Sequence, residues 1–298
     1  MYKTYYYEEK YAIVHEYHFL CLHDFLKYIQ EKEVNQNIFD HCSSVNGRYD
    51  FTKTQFFDDA VRLCQYGWNE NLDKLLELKE KIDQSLIKKG QETIKRSKSV
   101  MGFAPSMSDI ITGNPLNMWQ IQKKPNFDII RIYASLTYPG YTKSPEIYNR
   151  GAILLSLIDI LEKIGYGVEL ISFEISHEIS NYRSERNEII LSYFSLKDSS
   201  ENLNLGKVYF PLCHPSFLRR LVFRLTEVTP VKIERWGSSY GRVYSEEEIK
   251  EILKIGENEI LFSTPREMRI EGDNIYDDLE SVLKITNFDR FFKRSLIF

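Results

Sequence analysis

Four side chains near the start of the chain, His15, His18, Cys21 and His23, carry the donor atoms of a zinc site. Structural zinc is held by four ligands in a tetrahedron, usually as two closely spaced pairs. The run Tyr11–Leu20 alternates like a strand, so His15 and His18 point to opposite faces, and no second pair completes the set. No metal is expected there. Cys213 and His214 are the residue types of a thiol hydrolase, but sequence neighbours rarely reach the geometry in which an imidazole activates a thiol. His214, directly before Pro215, fits a structural cap at a helix boundary. Ser135 and Thr137 end a strand, where some α/β domains carry Asp-x-Ser-x-Ser for a divalent cation. Tyr133 stands at the aspartate position, and hydroxyls without a carboxylate hold hard cations poorly. Neither GxGxxG nor GxxxxGK[ST] occurs, so no phosphate loop or cofactor is expected.

Two sets of residues remain as binding candidates. Arg219 and Arg220, with Arg224 one turn beyond Arg220, form a basic stripe suited either to salt bridges or to an anion gripped by the planar guanidinium. Asn149 and Arg150 lie in the first turns of an otherwise apolar helix, near the carboxyl end of the strand holding Ser135. Ligands of α/β folds commonly bind outside that edge; packing or a buried ion pair is the competing account. With Thr137, Tyr138 and His214 these residues make the first candidate surface. The second is the segment from Lys79 to Lys98, with a net charge of +4. Lys88, Lys89, Lys95, Arg96 and Lys98 could follow a phosphate backbone, unless the segment is simply a solvated helix end.

The elements that must position these residues are clearly punctuated. The strand Phe127–Tyr138 ends at Pro139-Gly140, and Ser144-Pro145-Glu146 opens a helix in cap, proline, acid order that closes at Gly165. Strands are predicted at Gly167–Ser176 and Asn187–Leu196, with short strands at Val208–Leu212 and Glu259–Phe262. Helices are predicted from Asp24, from Phe57 with Thr54 as its cap, from Glu70, Met107, Pro215 and Glu246, and from Asp277. The fold class is therefore mixed α/β, a partly parallel sheet flanked by helices. An N-terminal α+β lobe is expected over 1–120 and an α/β lobe over 121–298.

At 298 residues, 43% hydrophobic and 28% charged, the composition is that of an ordinary globular protein. A net charge of −4 argues against non-specific attraction of the whole molecule to nucleic acid. The 20 tyrosines and 18 phenylalanines can pack, line interfaces or stack on bases. The opening residues lack the order of a secretory signal, the longest apolar run is interrupted by Asp159, and the four cysteines are widely spaced. A cytoplasmic setting with free thiols and no membrane contact is expected.

Several signatures occur together: Ser43-Ser44, Phe51-Thr52-Lys53-Thr54, Phe57-x-x-Ala60-Val61-x-Leu63 ending at Gly67-Trp68, Asn114-Pro115-x-x-Met118, Asn149-Arg150-Gly151-Ala152, His214-Pro215-x-x-Leu218-Arg219-Arg220 and Tyr240-Gly241-Arg242. This order resembles an uncharacterised family of tailed bacteriophages and prophages, which implies a phage-borne origin and no particular reaction. Lys53 departs from the glycine expected in the Phe-Thr-x-Thr turn. The second lobe is similar at fold level to von Willebrand factor A domains, in a version that has lost its metal ligand. The expected function is non-enzymatic: a phage protein that contacts a host or phage macromolecule, such as a defence or regulatory complex that it antagonises. A host or phage protein is the expected partner, and homo-oligomers are compatible with the sequence. The alternative is a nucleic-acid-binding or processing protein using the basic segment and tyrosines; an enzyme acting on a small phosphorylated ligand is a third reading.

Overall fold

Period-two burial builds the sheet. In the strand Ile129–Ser135, Ile130, Ile132 and Ala134 are buried on one face, while Arg131 and Tyr133 are partly exposed on the other. The structure is a computed structural model, and it describes residues 2–9, 12–34, 49–70, 72–90, 96–100, 104–121, 129–177, 187–229, 243–256, 259–286, 288 and 290–291.

In chain order, β1 (Tyr2–Glu9) and β2 (Ala12–Phe19) form an antiparallel hairpin. Helix α1 (Leu22–Glu31) buries Leu22, Phe25, Leu26 and Ile29, the spacing of one helical face. There follow α2 (Tyr49–Thr52), α3 (Phe57–Tyr66) and α4 (Leu72–Gly90). A small sheet of β3 (Arg96–Ser99), β4 (Ala104–Pro105) and β5 (Met118–Ile121), in the order β3-β5-β4, adjoins α5 (Met107–Ile111). The main sheet resumes with β6 (Ile129–Ser135), α6 (Ser144–Ile164), β7 (Gly167–His177) and β8 (Asn187–Lys197). Helix α7 (Leu205–Cys213) precedes a π-helical turn (Phe217–Val222) that runs into α8 (Phe223–Val228). The chain then forms α9 (Glu246–Leu253), β9 (Glu259–Phe262) and α10 (Ile275–Thr286).

The main sheet has the order β1-β2-β8-β7-β6-β9. β7, β6 and β9 are parallel, with α6 as the crossover between β6 and β7. β8 opposes β7 and runs parallel to β2. The fold is mixed α/β with a partly parallel sheet, as the sequence predicts, and that sheet has six strands. The stretches 1–120 and 121–298 both contribute to this sheet. One hydrophobic core also takes residues from both, so residue 120 marks no break in either.

Helix α6 lies at the centre of that core, with Ala152, Ile153, Leu154, Leu155, Leu157, Ile158 and Leu161 all buried. A Cβ at Gly151 would lie 2.2 Å from Cys213 Sγ and 3.1 Å from the Leu212 carbonyl, so the approach of α6 to α7 needs a glycine there. On the opposite face a smaller core packs Ile249 and Leu253 of α9 over Phe173, Ile175 and Leu191.

Two local expectations are corrected. Val208–Leu212 is part of α7 rather than a strand, because Val208, Tyr209, Phe210 and Leu212 are buried all round and burial outweighs the β preference of the types. Thr54 does not cap α3: the helix begins after Phe56, whose N–H is taken by Asp59 Oδ2 at 2.9 Å.

Candidate functional site: the carboxyl rim of the sheet

The Phe51–Thr54 turn and the arginine stripe, far apart in sequence, meet in space. Thr52 Oγ1 donates to the Thr54 carbonyl at 3.0 Å, and Lys53 takes φ 55°, the left-handed region where glycine is relaxed. The turn thus keeps a glycine shape with lysine in it. Arg220, fully buried, donates from Nη2 to the carbonyls of Thr54 at 3.2 Å and Gln55 at 3.0 Å. Its neighbour Arg219 turns the other way, among Phe51, Tyr138 and Phe223, with ring centroids 5.2–5.8 Å from the guanidinium. Arg224 packs over Phe57 and pairs with Glu227 at 3.3 Å.

Arg150 is buried and fastens the strand ends. Its Nη2 donates to the carbonyls of Ser135 and Phe262, both at 2.8 Å, and its Nε donates to Ser263 at 2.7 Å. These oxygens sit at the carboxyl ends of β6 and β9, so one side chain clamps two parallel strands. Burial lowers its pKa to about 10. Asn149 donates to Asp278 Oδ2 at 3.0 Å, and the same carboxylate accepts the N–H groups of Glu271 and Gly272. Tyr138 donates its hydroxyl to the Pro215 carbonyl at 3.3 Å, and burial raises its pKa.

His214 ends α7. Its Nδ1 accepts the Ser216 N–H at 3.2 Å and lies 2.7 Å from that residue's hydroxyl, while Trp68 meets the ring edge-on at 4.6 Å. Burial lowers its pKa to about 4, so the ring is neutral at physiological pH. Burial also raises the Cys213 thiol, and the sulfur faces Gly151. This is a capping arrangement, not an activated thiolate.

The family model described as Domain of unknown function (DUF7192) matches residues 8–290. The chain belongs to that family. No curated protein and no solved structure matches it.

At the rim of this DUF7192 fold, Ser135, Thr137, Phe173, Ile175, Tyr244 and Thr264 line a cleft with a volume of about 10 Å³. That is room for about one water molecule, not for a small organic ligand. Outside it, Tyr141 is 68% exposed and its hydroxyl accepts from Arg266 Nη1 at 2.9 Å. Gly140, next to Tyr141, lies against Arg219. The structure therefore gathers Ser135, Thr137, Tyr138, Arg150, Arg219 and Arg220 around one end of the sheet. His214 lies behind it, and Asn149 turns towards α10.

Elsewhere the candidates separate. His18 bonds Glu16 and stacks on Tyr193 with centroids 4.5 Å apart. Among the described residues no group of three or more His, Cys, Asp or Glu could hold a metal ion, and no helix is long and apolar enough to cross a membrane. In the basic segment, Lys98 pairs with Asp109 at 2.6 Å beside the Trp119 ring. Lys88 and Lys89 stand in the last turn of α4, and Arg96 opens β3. Lys95, Ser43-Ser44 and Tyr240-Gly241-Arg242 lie outside the described residues.

Sequence reasoning missed Glu174. It is buried on β7, accepts the Ser176 hydroxyl at 2.6 Å through Oε1, and its Oε2 has no hydrogen-bond partner among the described residues. Burial pushes its pKa up to about 8. The available signal was an acid at the core-facing position of Leu170-x-Ser172-x-Glu174-x-Ser176.

Proposed function

We propose that this protein is a non-enzymatic binding protein of bacteriophage or prophage origin, acting in the host cytoplasm. It contacts a host or phage protein at the carboxyl rim of the sheet and antagonises a defence or regulatory complex. One observation carries the binding role: Tyr141 is exposed yet held by Arg266, at the end of a surface that runs past Gly140 and Arg219 to Phe51 and the exposed Lys53. Tyrosine and arginine are the residue types that dominate binding energy at protein interfaces, and a rigid mounting lowers the entropy lost on contact. The cationic side chains along this surface favour an acidic partner.

The polar groups beneath it support the same reading. Arg150 and Arg220 direct their bonds to main-chain carbonyls, and His214 caps a helix, so these groups stabilise a frame. The hydroxyl of Ser135 likewise donates to a main-chain carbonyl, that of Thr137, at 3.4 Å. The phage setting rests on the resemblance of the motif order. The test is quantitative pull-down from infected cells with wild type and with Tyr141→Ala/Arg266→Glu. A protein captured in fixed ratio by wild type and lost with the variant supports the proposal. Capture of nucleic acid that falls steeply with added salt would favour the basic segment instead, and identical capture by both forms overturns the assigned surface.

A further inference from the structure

Strand β1 ends the main sheet, and among the described residues β2 is its one strand neighbour. It is eight residues long and contains no proline. A long edge without proline is a template for another strand, because on its outer side no described strand pairs the N–H and C=O groups. The opposite edge differs. β9 has four residues, α10 packs against it, and Arg290 reaches its Glu259 carbonyl.

The sequence of β1, Tyr2-Lys3-Thr4-Tyr5-Tyr6-Tyr7-Glu8-Glu9, has its cation near one end and its acids at the other. Such a strand is complementary to itself when turned antiparallel. Directly opposed residues in an antiparallel pair share a face, so a twofold axis normal to the sheet must pass through a position paired with its own copy. An axis at Tyr6 sets Lys3 across from Glu9 twice, with Tyr5 across from Tyr7 and Thr4 across from Glu8. An axis at Tyr5 sets Lys3 across from Tyr7 and Glu8 across from Tyr2, which pairs no charges. Opposite charges and aromatic pairs across strands both favour the first register.

We propose that two copies of this chain associate through β1, antiparallel about a twofold axis at Tyr6, joining two six-stranded sheets into one. This surface is separate from the rim around Tyr141, so the two assignments stand or fall independently. A single edge contact is small, and the dimer is expected to form with rising concentration rather than to be obligate.

The experiment is sedimentation equilibrium on the full chain, as wild type, Lys3→Glu, Glu9→Lys and the double variant Lys3→Glu/Glu9→Lys. Each single variant sets two like-charged pairs across the axis and should weaken self-association roughly tenfold. The double variant reverses both signs and should return to within about threefold of wild type. All four should share one circular dichroism spectrum, and hydrogen exchange of residues 2–9 should slow as wild-type concentration rises. A wild type that stays monomeric at all concentrations overturns the proposal. So does a dimer insensitive to the single changes, or a double variant as weak as the single ones.

Discussion

Arg220 and Thr54 stand 166 positions apart, and Nη2 of the arginine donates to the threonine carbonyl at 3.2 Å. With the second bond to Gln55, this contact holds the left-handed turn at Lys53 against the π-helical turn that carries the arginine. Arg220→Met should therefore destabilise the protein by about 2–4 kcal/mol, since the buried Thr54 carbonyl and the part-buried Gln55 carbonyl both lose a charged donor. Arg220→Lys should recover little, because an ammonium does not reproduce the planar fork. Urea unfolding measures both. A loss below about 0.5 kcal/mol, the range of an ordinary surface change, would show that the bond is incidental.

At Lys53 the expected effect is a gain. A non-glycine residue at φ 55° costs about 1 kcal/mol, partly offset by the greater freedom glycine has when unfolded. Lys53→Gly should raise stability by about 0.5 kcal/mol, and Lys53→Val should lower it. Thermal melting of the pair checks the order, which reverses if the turn relaxes to negative φ in solution.

Gly151 and Cys213 provide a coupled test of the central helix. A methyl group added at Gly151 would overlap the Cys213 sulfur, so Gly151→Ala should cost about 1–3 kcal/mol by overpacking. Adding Cys213→Ala removes the sulfur but leaves the Leu212 carbonyl 3.1 Å away, so rescue should be partial. A double-mutant cycle reads the coupling, and additive losses would place the strain elsewhere.

Much of this frame was legible because its punctuation is chemical. Pro145 and Gly165 bracket α6 in the sequence as they do in space, and Glu259–Phe262 is a strand as predicted. What escaped depends on partners distant in sequence. The parallel pairing of residues 12–19 with 187–194 draws the N-terminal hairpin into the main sheet, and no local pattern announces it. Arg150 was legible as a residue at the carboxyl edge, but its partners are main-chain carbonyls, which every residue possesses. Val208–Leu212 misled because a segment buried all round shows neither period.

Glu174 and His214 give opposite pH dependences. The Glu174 carboxyl is raised from an unfolded value near 4.3 to about 8, so between those limits the folded state holds a proton that the unfolded state has lost. Its contribution is present at low pH and is lost as pH rises through the window, at up to about 1.4 kcal/mol per unit. His214 is lowered from near 6.5 to about 4, so below pH 6.5 the unfolded state binds the extra proton and stability falls towards pH 4. From about pH 4.5 to 6.5 the two slopes largely cancel, and above pH 6.5 only the glutamate slope remains. Glu174→Gln should remove the fall above pH 6.5 and expose a rise in stability from pH 4 to 6.5. Denaturant midpoints at half-unit pH steps would show this. A glutamine variant that follows the wild-type curve would mean that the carboxyl gains a partner or reaches water.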